Sequence, residues 1–162
     1  MKPIIVEAVT RQEENILHNL MQFYIYEFTR FQHSIKLEEN GAFKPFNLKD
    51  YWENPHLHAF FFKVDGEQMG FALVESAHEE EPNTMQEFFI MAKYGGKGYG
   101  QKAASQLFQR FPGKWHIVQI EKNYPAQAFW RSLTYRMTNG AVSERYENRK
   151  SIQEFHTDDM IS

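Results

Sequence analysis

The sequence predicts an α/β fold built as one domain over residues 1–162, with a mixed, largely antiparallel sheet flanked by helices. Three observations predict it. Short β-branched and aromatic runs alternate with amphipathic helical runs in the order β-α-(α)-β-β-β-α-β-α-β-β. Two neighbouring strand-like runs meet at Asp65-Gly66, a two-residue hairpin signal, so they pair antiparallel. Aromatic residues make up 16% of the chain, with 15 Phe, enough to build a packed core where a disordered chain would have few.

The elements follow in order. "PIIVEAVT" (Pro3 to Thr10) is short and β-branched and reads as a strand. Ile16, Leu17, Leu20, Met21, Tyr24, Phe28 and Phe31 recur at spacings of one, three and four, which is one apolar face of a helix from about Glu13 to Phe31. The mixed stretch from Glu38 to His56, with Gly41, Pro45 and Pro55, reads as a loop around one short helix near Leu48 to Trp52. The hairpin strands lie at about 58–64 and 68–76, and "AHEEEPNT" is a polar connector. "MQEFFIMA" (Met85 to Ala92) is the next strand, followed by a glycine cluster and a helix that ends near Phe111, where "FPG" stops it. "WHIVQIEK" (Trp115 to Lys122) has partly continuous apolar content and reads as a buried strand. Pro125 suits the first turn of a helix, and two short strands lie near Arg145 and over Ile152 to His156.

Composition excludes several classes of function. A net charge of −3 offers no broad basic field, so nucleic acid is not an expected partner. The absence of cysteine removes disulfides, a thiol nucleophile and cysteine-bound metal. The seven histidines form no H-x-x-x-H pattern, His56 and His58 read as surface residues, and no metal is expected. No apolar run approaches the roughly 18 residues of a membrane span. "MKPIIVEAVTRQEE" is not a signal peptide, so the expectation is a cytoplasmic protein, monomer or homodimer, with no membrane partner.

The costly feature is the glycine cluster Gly95, Gly96, Gly98 and Gly100 directly before a helix. A helix start presents unpaired N–H groups and the positive end of its dipole, and glycine lets a bulky phosphate approach them. Lys97 adds a positive charge. The nucleotide P-loop pattern fails, because Gln101 stands where lysine is required. A dinucleotide fingerprint matches at Gly98, Gly100 and Ala103, with Glu121 as the acid, but Ala92 to Lys97 separates it from its strand and the repeated βαβ units are missing.

"YGGKGYG" before a helix resembles the first motif of the GNAT superfamily of N-acetyltransferases, Arg/Gln-x-x-Gly-x-Gly/Ala. "NYPAQAFWRSLTY" (Asn123 to Tyr135) resembles the second, Asn-x-x-Ala-x-x-Phe/Leu-Tyr-x-x-x-Gly-Phe, with Asn123, Ala126 and Phe129 matching. The 23-residue step from Gly100 to Asn123 fits as well. The resemblance implies a GNAT-like fold and acetyl-CoA as co-substrate. It places the pyrophosphate on Gly95, Gly96, Lys97, Gly98, Tyr99, Gly100 and Gln101, and the thioester near the backbone of Phe89, Ile90 and Met91 on a splayed strand. Asn123, Ala126, Phe129 and Trp130 complete the implied cofactor site. The sequence departs from the pattern in three places: Gly95 replaces the first Arg or Gln, Trp130 replaces the tyrosine that commonly protonates the leaving thiolate, and Thr134-Tyr135 replaces Gly-Phe. An indole does not titrate, so Trp130 cannot supply that proton.

Glu87, on the implied cofactor strand among apolar neighbours, is the candidate general base, since burial raises a carboxyl pKa. The glutamate that assists one branch of the family has Val118 in its place. Tyr94 and Tyr124 are phenols near the motifs that read as packing residues, with delivery of a proton as the alternative. The family's acceptor groove forms from the first helices and their loop, which offers Tyr26, Glu27, Arg30, Trp52, Glu38 and Glu39 and suits a cationic amine. The expected activity is acetyl transfer from acetyl-CoA to a primary amine of a small molecule or peptide; the alternative is a non-catalytic acyl-CoA-binding module.

Overall fold

In a computed structural model that describes residues 1–161, the chain runs β1 (Ile4–Ala8), α1 (Glu14–Phe28), α2 (Lys49–Glu53), β2 (Leu57–Val64), β3 (Glu67–Glu75), β4 (Asn83–Ile90), α3 (Tyr99–Arg110), β5 (Lys114–Ile120), α4 (Tyr124–Thr138), β6 (Ser143–Glu147) and β7 (Lys150–His156). The element order is the one the sequence predicts. Among the described residues seven strands form one sheet in the order β1-β2-β3-β4-β5-β7-β6. Every neighbouring pair is antiparallel except β4 and β5, which are parallel.

Helices cover both faces. Leu17, Leu20 and Met21 of α1, with Leu48 before α2, pack on Phe61, Phe71, Leu73 and Phe89. On the other face Ala103, Leu107 and Phe108 of α3 and Trp130 and Leu133 of α4 pack on Phe62, Val74, Met85, Trp115 and Ile117. The β2–β3 turn puts Asp65 at φ +52° and Gly66 at φ +74°, the left-handed pair that a tight hairpin needs. The β6–β7 turn does the same with Asn148 and Arg149, and an arginine there gives no sequence signal of a turn.

Two irregularities in β4 shape everything that follows. First, its register against β3 slips: Met85 faces Val74 and Glu87 faces Leu73, leaving Gln86 as an extra residue. This is a bulge, and it turns the chain over. Met85 points into the α3/α4 core, while Glu87, two residues on, faces α1 like Leu73 and Phe89. Second, β4 pairs with β5 only over Asn83–Met85. Beyond Met85 the two strands part. β5 is therefore not the uniformly buried strand its apolar run suggests: Trp115, Ile117 and Gln119 are buried, His116 and Val118 between them are half-buried, and Val118 borders the gap.

Candidate active site

The gap between β4 and β5 is a cleft of about 390 Å³, bordered by Gln86, Glu87 and Phe88 on one strand and Val118 and Ile120 on the other, with Asn123, Ala126 and Trp130 of α4 at its side. A second cavity of about 470 Å³ lies between α1 and the loop that follows it. The two cavities share Tyr24, Phe28, Glu87 and Ile120. Glu87 thus stands where they meet, aimed there by the bulge.

The surroundings of Glu87 set its chemistry. Burial among aromatic rings pushes its carboxyl up to about 7, and a hydrogen bond from the Tyr24 hydroxyl to Oε2 opposes the rise. The Tyr24 phenol is held well above its ordinary value, first by burial and then by the adjacent carboxylate. The backbone N–H of Phe88 faces the Tyr24 oxygen and is the one influence that favours its ionised form. Tyr51 is also pushed up, to about 12, by burial and then by Glu87 and Glu75. A carboxyl near 7 beside a phenol is an acid–base pair that can move a proton at neutral pH.

The open edge of β4 explains which amides are available. The Met91 N–H donates to Met69 O on β3. In an antiparallel ladder alternate residues are bonded, so the Phe89 amide also faces β3, and those of Phe88 and Ile90 face the gap. Of the expected trio Phe89, Ile90 and Met91, only Ile90 turns its amide away from β3, and Phe88 does the same.

At the start of α3, Gly95 closes a short turn with its N–H on Ala92 O at 3.0 Å, so its amide is committed and does not join the cradle. From Gly96 to Gln101 the six consecutive N–H groups find no protein acceptor among the described residues, and the first helical bond is Lys102 N–H to Gly98 O. That array, at the positive end of a helix dipole, fits a pyrophosphate. Each glycine contributes differently. Gly96 and Gly98 adopt φ +72° and +85°, which other residues reach only with strain. A Cβ on Gly100 would lie 3.3 Å from the Phe129 ring, so this glycine lets α3 and α4 approach. Arg136 Nη1 donates to Gln101 Oε1 at 2.9 Å and brings a second cation to the cradle that the sequence did not signal.

The remaining expected residues divide. Asn123 Oδ1 accepts from Ala126 N–H, so both positions form the cap of α4 as well as the side of the cleft. Trp130 is buried edge-on against Phe88 and Phe129, with centroids 5.0 and 4.8 Å away, and its indole N–H has no partner among the described residues. Tyr94 packs against Tyr99, and Tyr124 is exposed. Tyr26 is exposed, Glu27 and Arg30 pair with each other, Trp52 donates to Glu14, and Glu38 and Glu39 are exposed; none of them borders either cavity. Nothing in the sequence pattern marks Tyr24 as part of this junction. It sits in an apolar helical stripe, and the only hint is that a phenol there needs a partner for its hydroxyl.

A family profile described as the acetyltransferase (GNAT) family matches residues 18–135. No curated protein matches the chain in sequence. Solved structures share the fold. An acetyltransferase from Thermus thermophilus superposes with a TM-score of 0.69 at 16% identity, covering 96% of this chain and 99% of that one. An acetyltransferase of the GNAT family from Staphylococcus aureus gives 0.63 at 12%, covering 96% and 99%. The PaiA N-acetyltransferase from Thermoplasma acidophilum, in complex with coenzyme A, gives 0.63 at 10%, covering 95% and 99%.

Proposed function

The chain belongs to the GNAT acetyltransferase family, and from that premise we propose that it transfers the acetyl group of acetyl-CoA to a primary amine held in the cavity beside α1. The observation that carries this reading is the junction: a cleft opened by the parting of β4 and β5 meets a second cavity at a single carboxyl, Glu87. Acetyl-CoA supplies the activated acyl group. The amides of Gly96 to Gln101 hold its pyrophosphate, with Lys97 and Arg136 nearby. The Ile90 amide steadies the arm in the cleft, and Trp130 walls that cleft and excludes water.

The chemistry then divides among three groups. Glu87, with its carboxyl near 7, takes a proton from the incoming ammonium so that the amine can attack. The Phe88 N–H, which faces the Tyr24 oxygen when no acyl group is bound, donates to the carbonyl oxygen as negative charge gathers there. The C–S bond breaks, and the thiolate needs no group at Trp130: Tyr24 gives its proton to sulfur and receives the one Glu87 holds. The ammonium loses two protons in becoming an amide: one passes by way of Glu87 and Tyr24 to the sulfur, and the other leaves the nitrogen after attack and goes to solvent.

The test is a pH–rate profile with a panel of amines. Wild-type kcat/KM should rise through about pH 7 as Glu87 ionises. Glu87→Gln should lower the rate at neutral pH by roughly 10²-fold or more, recover toward high pH where the free amine is abundant, and leave acetyl-CoA affinity unchanged. A variant profile identical to wild type would remove Glu87 from the reaction, and no turnover with any amine would favour a binding module.

A further inference from the structure

We infer that the acceptor is an amine with an apolar body whose far end carries an anionic group, carboxylate or phosphate, held between Lys36 and Lys44. The inference rests on reading the cavity beside α1 as the acceptor side. One end of that cavity is Glu87 and Tyr24, where the amine must sit. Its middle is aromatic: Phe28, one helical turn or roughly 6 Å along α1 from Tyr24, faces Phe43 and Phe46 of the following loop. Lys36 and Lys44 also line it, and Glu87 is its only carboxylate.

The lysines are placed by structure, not by chance in a floppy loop. Leu37 and Phe43 form an antiparallel bridge, and Glu38 N–H donates to Ala42 O in the turn beyond it. Lys36 and Lys44 are therefore directly opposite each other across the bridge. Gln22 clamps this arch to α1: its Nε2 donates to Phe43 O at 3.0 Å and its Oε1 accepts from Phe43 N–H at 2.9 Å. Like charges directly opposite in a strand pair repel. Neither lysine has an ion-pair partner among the described residues, although Glu38 and Glu39 follow in the same turn. An anion between the two ammonium groups relieves that repulsion. The same charges disfavour a diamine or polyamine, whose second cation would lie among them.

Three probes of matched shape test this: 4-(2-aminoethyl)benzoate, 4-(2-aminoethyl)phenyl phosphate and the neutral 4-(2-aminoethyl)benzamide. Calorimetric titration of the protein at low salt should show the anionic probes binding roughly tenfold more tightly than the benzamide. Their order distinguishes carboxylate from phosphate. The preference should shrink several-fold in 0.5 M salt and vanish in the Lys36→Met/Lys44→Met double variant; Lys36→Gln alone should halve it on a logarithmic scale. Equal binding of all three probes to wild type, or an undiminished preference in the double variant, overturns the assignment. Turnover is read separately. Acetylation of all three with equal efficiency supports acetyl transfer and overturns the anion site. Selective binding without acetylation supports the anion site and overturns acetyl transfer.

Discussion

Glu87 ties stability to pH in a direction that can be worked out. Its folded carboxyl is raised to about 7 by burial, above the 4.5 at which an unperturbed glutamate titrates. Between those values the folded protein holds a proton that the unfolded chain has released, so stability falls as pH rises through that window. Above about pH 7 the full penalty is present, on the order of 1–3 kcal/mol once solvent screening of a half-buried group is allowed for. Glu87→Gln should therefore raise the melting temperature at pH 8 and change it little at pH 4.5, a difference that thermal denaturation at the two pH values measures directly. Tyr24→Phe acts the opposite way on the same group. It removes the hydrogen bond that lowers the Glu87 pKa, so the rising limb of the pH–rate profile should move to higher pH while kcat falls. Glu87 was readable in the sequence because a lone acid among phenylalanines on a strand is conspicuous. Its partner was not, because which way the Tyr24 hydroxyl points, and what it meets, depend on where β4 turns over.

At the scale of elements, that turning over is the bulge at Gln86. A period-two reading of Met85, Glu87 and Phe89 puts all three on one face, and the structure puts Met85 on the other. No residue type announced the slip; it follows from pairing with β3, which a single strand's sequence does not contain. Deleting Gln86 should restore regular pairing and leave Met85 opposite Val74 and Glu87 opposite Leu73, so each side chain keeps its face. The expected product is a folded protein, with far-ultraviolet dichroism close to wild type, that binds acetyl-CoA and keeps acetyl transfer. Lost activity with the fold and acetyl-CoA binding intact would mean that the bend of the bulge, and not only the face that Glu87 occupies, aims the carboxyl. The order of elements, by contrast, was readable throughout, because each helix carries its own apolar stripe and the Asp65-Gly66 turn declares its hairpin. Gly70 shows a limit of such reading: it looks like an indifferent strand residue, yet a Cβ there would lie 1.9 Å from the Phe89 carbonyl oxygen, so β3 and β4 pair closely only because it is glycine.

Across the whole molecule, the sheet is stitched on both flanks and open at its centre. β1 to β4 form one antiparallel block and β5, β7 and β6 another, joined by three residue pairs. The α3 and α4 helices bridge the blocks on one side, touching where Gly100 admits Phe129. A ligand that lies along the gap and ends on the α3 amides binds both blocks at once, so it should stabilise the fold as a whole. At a hundred times its dissociation constant acetyl-CoA adds about 2.7 kcal/mol, which for a chain of this size is a rise of about 5–10 °C in melting temperature. Gly98→Val should abolish that rise. Valine at φ +85° is strained by about 1–2 kcal/mol; the exposed end of Met1, 2.7 Å from its Cβ, can move aside, so it is the backbone strain that drives the loop to rearrange and scatter its amides. Gly96→Ala separates strain from crowding: the residue adopts φ +72° with nothing within 4 Å of its Cβ, so the protein should lose a little stability and part of its affinity. Thermal shifts of wild type and both variants, with and without acetyl-CoA, measure all of this in one series. A Gly98→Val protein that melts lower yet keeps the full acetyl-CoA rise would place the pyrophosphate elsewhere than on the start of α3.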